Sequence, residues 1–337
     1  MTAAEIAKIV GVSRSTVTKV INNYPYTAEA TRQKVLAAVK EYGYAPNVSA
    51  RSLVGKKLKE IGLFIYAAQN ISSSAYFGGL ITHVIDCAEN LGYSVLASII
   101  KPGQEGKISH FLHSESIQGA IITGGAMEEQ EVLDLMKSRH KILVVDQISY
   151  DSALHDYCGL VNRDNFNGAY LATEYLIQHG HRAIMHIAGA FTRISALERL
   201  AGYQKALQDH GLPAHKKLIL HGDFDDGTAE NLLTKYLKHH QPPTALFACN
   251  DMTAIGAMRA LKAKGYGIPQ DVSIIGFDDI YVAKEIEPQL TTISSSPKTV
   301  AMEAVEKLIK MIETDDLKVS KTLIGVSLVE RDSVRAI

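Results

Sequence analysis

The chain reads as a small all-α head in front of a larger α/β body with doubly wound parallel sheets. Three observations lead there. Residues 1–44 carry only helical periodicity, punctuated by glycine stops and capping residues. From residue 60 onward, short apolar β-branched runs alternate with amphipathic helices. Charge divides at the same place: residues 1–60 hold ten Lys/Arg against four Asp/Glu, whereas the remainder holds twenty-five against thirty-two.

In the head, Ile6, Ala7 and Val10 share one stripe of a first helix, with Thr2 as N-cap, Glu5 at the capping-box position and Gly11 as stop. Ser13 can cap a second helix from Arg14 to Asn22. Its apolar stripe is Val17, Val20 and Ile21, and its other face offers Arg14, Ser15, Thr18 and Lys19. Two short helices joined by a Gly-containing turn form a helix-turn-helix unit. A third helix, roughly Ala28 to Tyr42, should be capped by Thr27 and stopped at Gly43, with Val35, Leu36 and Val39 closing the core.

In the body, candidate strands are Ile61–Tyr66, Ser94–Ile100, Ala120–Thr123, Ile142–Val145, Gly159–Val161, Ala183–Ile187, Leu218–Leu220, Ala245–Ala248 and Val272–Gly276. Most are continuously apolar, as parallel strands covered on both faces require. The helices between them, such as Tyr76–Leu91, Asn165–His179, Ala196–His210 and Met252–Lys264, run into Gly92, Gly180, Gly211 and Gly265. About 275 residues suit two lobes better than one.

A basic head on an acidic body is the pattern expected when one end meets phosphate. The start of a major-groove helix needs side chains that donate and accept hydrogen bonds, which Arg14, Ser15 and Thr16 supply. A three-helix protein-docking module with a solvated basic face is the bland alternative. In the body, Asp146, Asn250 and Asp278 each follow an apolar run, so each would emerge at the carboxyl end of a strand, where open α/β sheets bind ligands. Arg199 opens an Arg-Leu-Ala-Gly-Tyr stretch, and its planar guanidinium could donate to paired oxygens.

Other chemistry finds no support. No apolar run approaches eighteen residues and no basic-then-apolar leader opens the chain, so a cytoplasmic protein is expected. Cys87, Cys158 and Cys249 lack metal-ligand spacing and are expected to be buried free thiols. His110 and His113, and His179-Gly180-His181, have no completing ligand, so no metal is expected. Gly124-Gly125 lacks the Lys-Ser/Thr of a phosphate loop, and there is no G-x-G-x-x-G or G-x-S-x-G run. Neither a cofactor nor catalysis is expected.

The head resembles the headpiece of the lactose-repressor family of bacterial transcription regulators. The residues that carry the resemblance are Ile6-Ala7, Gly11-Val12-Ser13, Thr16 to Asn22, Thr31-Arg32 with Lys34-Val35, Gly43 to Asn47, and Ala50-Arg51-Ser52-Leu53. The family more often has Ser-Arg where this chain has Thr18-Lys19, and Asp where it has Glu5; Lys cannot reproduce the bidentate fork of Arg. The resemblance implies a DNA-facing set of Thr2, Ser13, Arg14, Ser15, Thr16, Thr18, Lys19, Asn22, Ala50 and Leu53. It also implies a hinge helix that forms on operator DNA, where paired Leu53 side chains wedge into the minor groove.

For the body the resemblance implies a two-lobed, periplasmic-binding-protein-like fold that the chain crosses three times, near residues 160, 291 and 321. The expected organisation is a headpiece over 1–46 and a hinge over 47–59. An N-lobe would take 60–160 with 292–320, and a C-lobe 161–291 with 321–337. Arg199, Asn250 and Asp278 match residues that contact the small effector. Phe224 matches a ring-stacking aromatic, Tyr76-Phe77 an N-lobe pair, and Arg193 an arginine of purine-repressor-like members. The implied protein is a homodimeric repressor on a pseudopalindromic operator. A sugar-like effector is favoured, with a nucleobase or nucleoside as the alternative; an exported sugar-binding protein would share only the body.

Overall fold

The computed structural model describes residues 1–21, 24–44, 59–67, 74–101, 103–104, 106–114, 116–125, 134–135, 140–146, 158–316 and 321–337. They fall into two compact units, Met1–Leu58 and Lys59–Ile337.

The first unit holds α1 (Ala3–Val10), α2 (Arg14–Ile21) and α3 (Glu29–Glu41). The expected capping box is present: Glu5 N donates to Thr2 Oγ1 at 3.3 Å, and Thr2 N donates to Glu5 Oε2 at 2.7 Å. Gly11 ends α1 in the left-handed conformation, φ 73°. Ser13 Oγ receives the Thr16 amide at 3.1 Å and so caps α2. Two expectations for α3 fail. Its N-cap is Ala28, without a side-chain cap bond, because the helix starts one residue later than Thr27 requires. Leu36 is 42% exposed: helical rotation turns it away when Val35 and Ala38 face inward to join Ile6, Ala7, Val17 and Val20.

The second unit contains two six-stranded sheets. Its elements run β1 (Glu60–Tyr66), α4 (Ala75–Asn90), β2 (Ser94–Ile100), α5 (Gly106–His113), β3 (Gly119–Gly124), β4 (Lys141–Val145) and β5 (Gly159–Arg163). Then come α6 (Asn165–Gln178), β6 (Ile184–Ala188), α7 (Ile194–Asp209), β7 (Ile219–His221), α8 (Asp226–Tyr236), β8 (Ala245–Ala248), α9 (Asp251–Ala263) and β9 (Ser273–Asp278). The last are β10 (Thr291–Ser294), α10 (Pro297–Thr314), β11 (Lys321–Ile324) and β12 (Ser327–Val329).

One sheet has the order β11-β5-β4-β3-β1-β2 and the other β12-β10-β9-β8-β6-β7. Every pairing is parallel except that of β10 with β12. The first sheet is covered by α4 and α10 on one side and α5 on the other. The second lies between α8 with α9 and α6 with α7. Burial on both faces explains why β4 reads as an unbroken apolar run after Lys141 and why β3 and β6 are apolar apart from the buried Thr123 and His186. The expected helix stops Gly92, Gly180, Gly211 and Gly265 all have positive φ, from 67° to 93°.

The chain passes between the sheets three times, each a few residues later than expected. Residues 159–163 complete β5 in the first sheet, β10 at 291–294 belongs to the second, and β11 at 321–324 pairs back onto β5. A strand must run its full length in one sheet before its carboxyl end can leave, so the crossings lie after 163, 294 and 324. Asp164 N donates to Ile324 O at 2.9 Å, which ties the first crossing to the third.

Candidate functional site

The carboxyl ends of β4, β5, β9 and β10 bring four polar residues together: Asp146, Arg163, Asp278 and Ser295. Arg163, the last residue of β5, is 6% exposed and joins the two lobes. Its amide donates to Asp146 Oδ1 at 2.8 Å and its Nε to Asp146 Oδ2 at 2.5 Å. One terminal nitrogen donates to Asp278 Oδ1 at 2.8 Å and to Ser295 Oγ at 3.3 Å. Burial lowers the pKa of this guanidinium, but Asp146 and Asp278 outweigh it and hold the group charged. The ring of Tyr76, from the first turn of α4, lies 4.3 Å from the guanidinium carbon. Its hydroxyl is buried with no hydrogen-bond partner, and burial raises its pKa above the ordinary tyrosine value.

The second lobe supplies Arg199 from α7, 1% exposed and 3.6 Å from the Phe277 ring centroid. Its Nε donates to Asn165 Oδ1 at 3.0 Å, a terminal nitrogen donates to the Cys249 carbonyl, and the other stands 3.6 Å from Asp278 Oδ1. Burial holds Arg199 below its ordinary pKa, against the pull of Asp278. Glu198 receives Asn165 Nδ2 at 3.0 Å; burial pushes its carboxyl up to about 7, with Asn165 opposing. Beside them, Arg193 stacks over Phe224 at 5.0 Å. Asn250 donates to Phe224 O at 3.0 Å and caps α9 by accepting Thr253 N at 2.8 Å. The Cys249 thiol, pushed up to about 11 by burial, is not reactive near neutral pH.

Six non-glycine residues among those described have positive φ, and three of them are Asp146 (52°), Phe224 (61°) and Asp278 (114°). Such backbone costs about 1–3 kcal/mol per residue and persists where surrounding contacts over-determine it. Gly189 makes room for one of them, since a Cβ there would overlap the Phe224 ring.

Of the sequence-predicted cleft residues, Tyr76, Asp146, Arg199 and Asp278 converge through Arg163, and Arg193, Phe224 and Asn250 form a second group. Phe77 stands next to Tyr76 in the first-lobe core, with ring centroids 5.4 Å apart and an edge-to-face geometry. Arg163, Asn165, Glu198 and Ser295 were missed. For Arg163 and Asn165 the signal was the polar Asn162-Arg163-Asp164-Asn165 step after Leu160-Val161; Glu198 and Ser295 carried none. Of the predicted thiols, Cys158 and Cys249 are buried, whereas Cys87 is half-buried because α4 turns it to the edge of the core. Among the described residues no cluster of three or more His, Cys, Asp or Glu could hold a metal. No described helix is long and apolar enough to cross a membrane.

On the head, Arg14, Ser15 and Lys19 are exposed along α2, and Thr16 and Thr18 are half-buried beside them. Ser13 Oγ lies 2.7 Å from Ser15 Oγ and 2.8 Å from Thr16 Oγ1, and Thr18 Oγ1 donates to Arg14 O at 3.0 Å. Thr2 is exposed at the start of α1. Asn22, Ala50, Leu53 and the expected hinge lie outside the described residues.

A helix-turn-helix head and a two-lobed α/β body with polar groups gathered at opposed strand ends define a ligand-responsive DNA-binding regulator. Residues 2–47 match the model for bacterial regulatory proteins of the lacI family, and residues 173–334 match that of a periplasmic binding protein-like domain. The chain is 32% identical over 341 residues to the HTH-type transcriptional repressor PurR of Haemophilus influenzae, covering 100% of this chain and 99% of the relative. It is also 32% identical over 338 residues to the probable HTH-type transcriptional repressor ExuR of Bacillus subtilis, covering 99% and 98% respectively. A crystal structure of the Lac repressor dimer bound to operator and an anti-inducer superposes with a TM-score of 0.89 at 27% identity, covering 100% of this chain and 99% of that one. The chain belongs to the lacI family of bacterial transcription regulators. It is a repressor with an effector-binding body, and these relatives are regulators rather than enzymes.

Proposed function

We propose that this chain represses transcription from the cytoplasm as a homodimer on a pseudopalindromic operator, with no catalytic activity of its own. Its DNA affinity would be set by a small molecule held between the two lobes, most plainly a sugar or sugar derivative. The observation that carries this reading is the buried Asp146–Arg163–Asp278 bridge, which places paired charges from both lobes at one spot. A ligand that competes for those groups favours one lobe arrangement over another, and differential affinity of that kind is what an allosteric effector needs. The structure of the regulator CelR with cellobiose, 25% identical with a TM-score of 0.76 and covering 99% of each chain, supports a sugar. The effector set is Tyr76, Phe77, Asp146, Arg193, Arg199, Phe224, Asn250 and Asp278. The DNA set is Thr2, Ser13, Arg14, Ser15, Thr16, Thr18, Lys19, Asn22, Ala50 and Leu53, with residues 47–59 as hinge.

A purine effector is the second reading, favoured by the Arg193–Phe224 stack, which could sandwich a flat ring, and by the relatives named PurR. A thermal-shift panel of sugars, sugar phosphates, nucleobases and nucleosides separates the two, because a ligand bound to the native state raises the midpoint. Operator binding by fluorescence anisotropy, with and without the hit, then tests the coupling. Leu53→Ala should lose operator affinity and keep effector affinity; unchanged operator binding removes the hinge from the mechanism. A hit that leaves operator affinity unchanged overturns the effector role.

A further inference from the structure

We propose that Arg163 sets the chemical class of the effector: by engaging both Asp146 and Asp278 it turns the cleft floor from an acceptor surface into a donor surface, so the effector carries a carboxylate or a phosphate. The proposal rests on the cleft being the effector site and goes beyond it by naming the group recognised.

A neutral polyol needs acceptors for its hydroxyl hydrogens, and carboxylates and carboxamides are the side chains that provide them. The three residues suited to that task are each at least partly engaged within the protein, with Asp278 Oδ2 the one carboxylate oxygen among them that makes no hydrogen bond among the described residues. Both Asp146 oxygens receive Arg163, from its amide and its Nε. Asp278 Oδ1 receives the Arg163 terminal nitrogen. Asn250 donates to Phe224 O and accepts from Thr253 N. Most of what is left over is donors. Among the described residues the Arg193 guanidinium makes no side-chain hydrogen bond and no ion pair; it stacks on Phe224 and feels the charge of Asp223, and the second terminal nitrogen of Arg163 is likewise without a hydrogen bond. The Tyr76 hydroxyl, in a residue 8% exposed and beside Arg163, has no partner. Arg163, Arg193 and Arg199 gather here with Asp146, Asp278 and Asp223, and burial pushes the Glu198 carboxyl up to about 7, which weakens it as a further counter-charge. Two guanidiniums with free N–H groups and an unpartnered O–H suit an acidic group, which offers several acceptor oxygens in one plane or tetrahedron.

The test is calorimetric titration of the full-length protein with probes that differ only in the acidic group: glucose against glucuronate and glucose 6-phosphate, galactose against galacturonate, and inosine against inosine monophosphate. The expected result is that an acidic member binds at least tenfold tighter than its neutral parent, the carboxylate and phosphate arms showing which anion is taken. Arg193→Gln, which removes no hydrogen bond of the protein's own, should weaken that member at least tenfold. Arg163→Gln should narrow the acidic-to-neutral gap by releasing Asp146 and Asp278; where that variant fails to fold, Arg193→Gln alone decides. A neutral probe that binds as tightly as its acidic partner, or silence from every acidic member, overturns the proposal and leaves the cleft reading standing. Binding of any probe that is indifferent to both Arg193→Gln and Phe224→Ala places the ligand elsewhere and overturns the cleft reading itself.

Discussion

Replacing Phe224 by Gly and, separately, by Ala separates the strain in its backbone from the packing of its ring. Phe224 has φ 61°, a conformation that costs an L-residue about 1–2 kcal/mol relative to glycine. Both variants lose the same ring, with its stack under Arg193 and its contact against Gly189. They differ in the strain, which Ala keeps and Gly relieves, and in unfolded-state entropy, which favours Ala by about 0.5–1 kcal/mol. The balance leaves Gly more stable by about 0.5–1 kcal/mol, the reverse of the ordinary order. For a lobe of this size that is about 1–4 °C in the midpoint of thermal unfolding. Effector affinity should fall by about tenfold or more in both, since a stacked ring contributes about 1–3 kcal/mol beside its area. An Ala variant at least as stable as the Gly variant would refute the strain argument, because nothing else in the pair differs in that direction.

Glu198→Gln should flatten the pH dependence of stability. The folded pKa of about 7 lies above the ordinary glutamate value of 4.5, so the protonated form is favoured on folding. That stabilisation is fully present below about pH 4.5 and is lost as the pH rises through 7, amounting to no more than about 3 kcal/mol for this partly exposed group. Thermal midpoints measured from pH 4.5 to 8 should decline in the parent and stay level in the variant; parallel curves would count against it. Gly276→Ala should destabilise the second lobe by about 3 kcal/mol or more, because a Cβ there would overlap the Asp251 carboxylate. That carboxylate is fully buried and receives Ile280 N at 2.9 Å and Thr292 Oγ1 at 2.5 Å. A urea midpoint within experimental error of the parent would show that the core yields more readily than its packing suggests.

The sequence was most informative where structure is local. Thr2 and Glu5, Gly11, Ser13 and the glycines after the body helices act within one turn of chain, and their chemistry is visible in a window of a few residues. Thr27 and Leu36 failed for a shift of one residue in where α3 begins and which way it faces. β10 escaped notice because three of the four residues in Thr-Thr-Ile-Ser are polar; part of its burial comes from α6, more than a hundred residues earlier in the chain. α10 was legible and overlooked, since Ser296 with Pro297 is a strong helix start. At the site, Asp146, Asn250 and Asp278 are at the strand ends their apolar runs implied. Their partners were not legible, for Arg163 reaches Asp278 across 115 residues, and no local pattern encodes which carboxylate a guanidinium will find. Arg199 illustrates the same limit: expected as a free fork for a ligand, it is anchored to Asn165 and to the Cys249 carbonyl.

Arg163 is the last residue before the first passage between lobes, its partner Ser295 follows β10 at the second, and Asp164 grips Ile324 at the third. The floor of the cleft is therefore also the axle. A strand of seven residues such as β1 is about 23 Å long, so a rigid lobe pivoting at the carboxyl ends moves the far end of that strand by about 0.4 Å for each degree of rotation. A molecule seated here would sit at the fulcrum, where its contacts act with short travel, and the motion would be largest toward Glu60, where the body begins. Sensitivity in such an arrangement comes from leverage, and stiffening either lobe should sharpen the response without altering a single ligand contact.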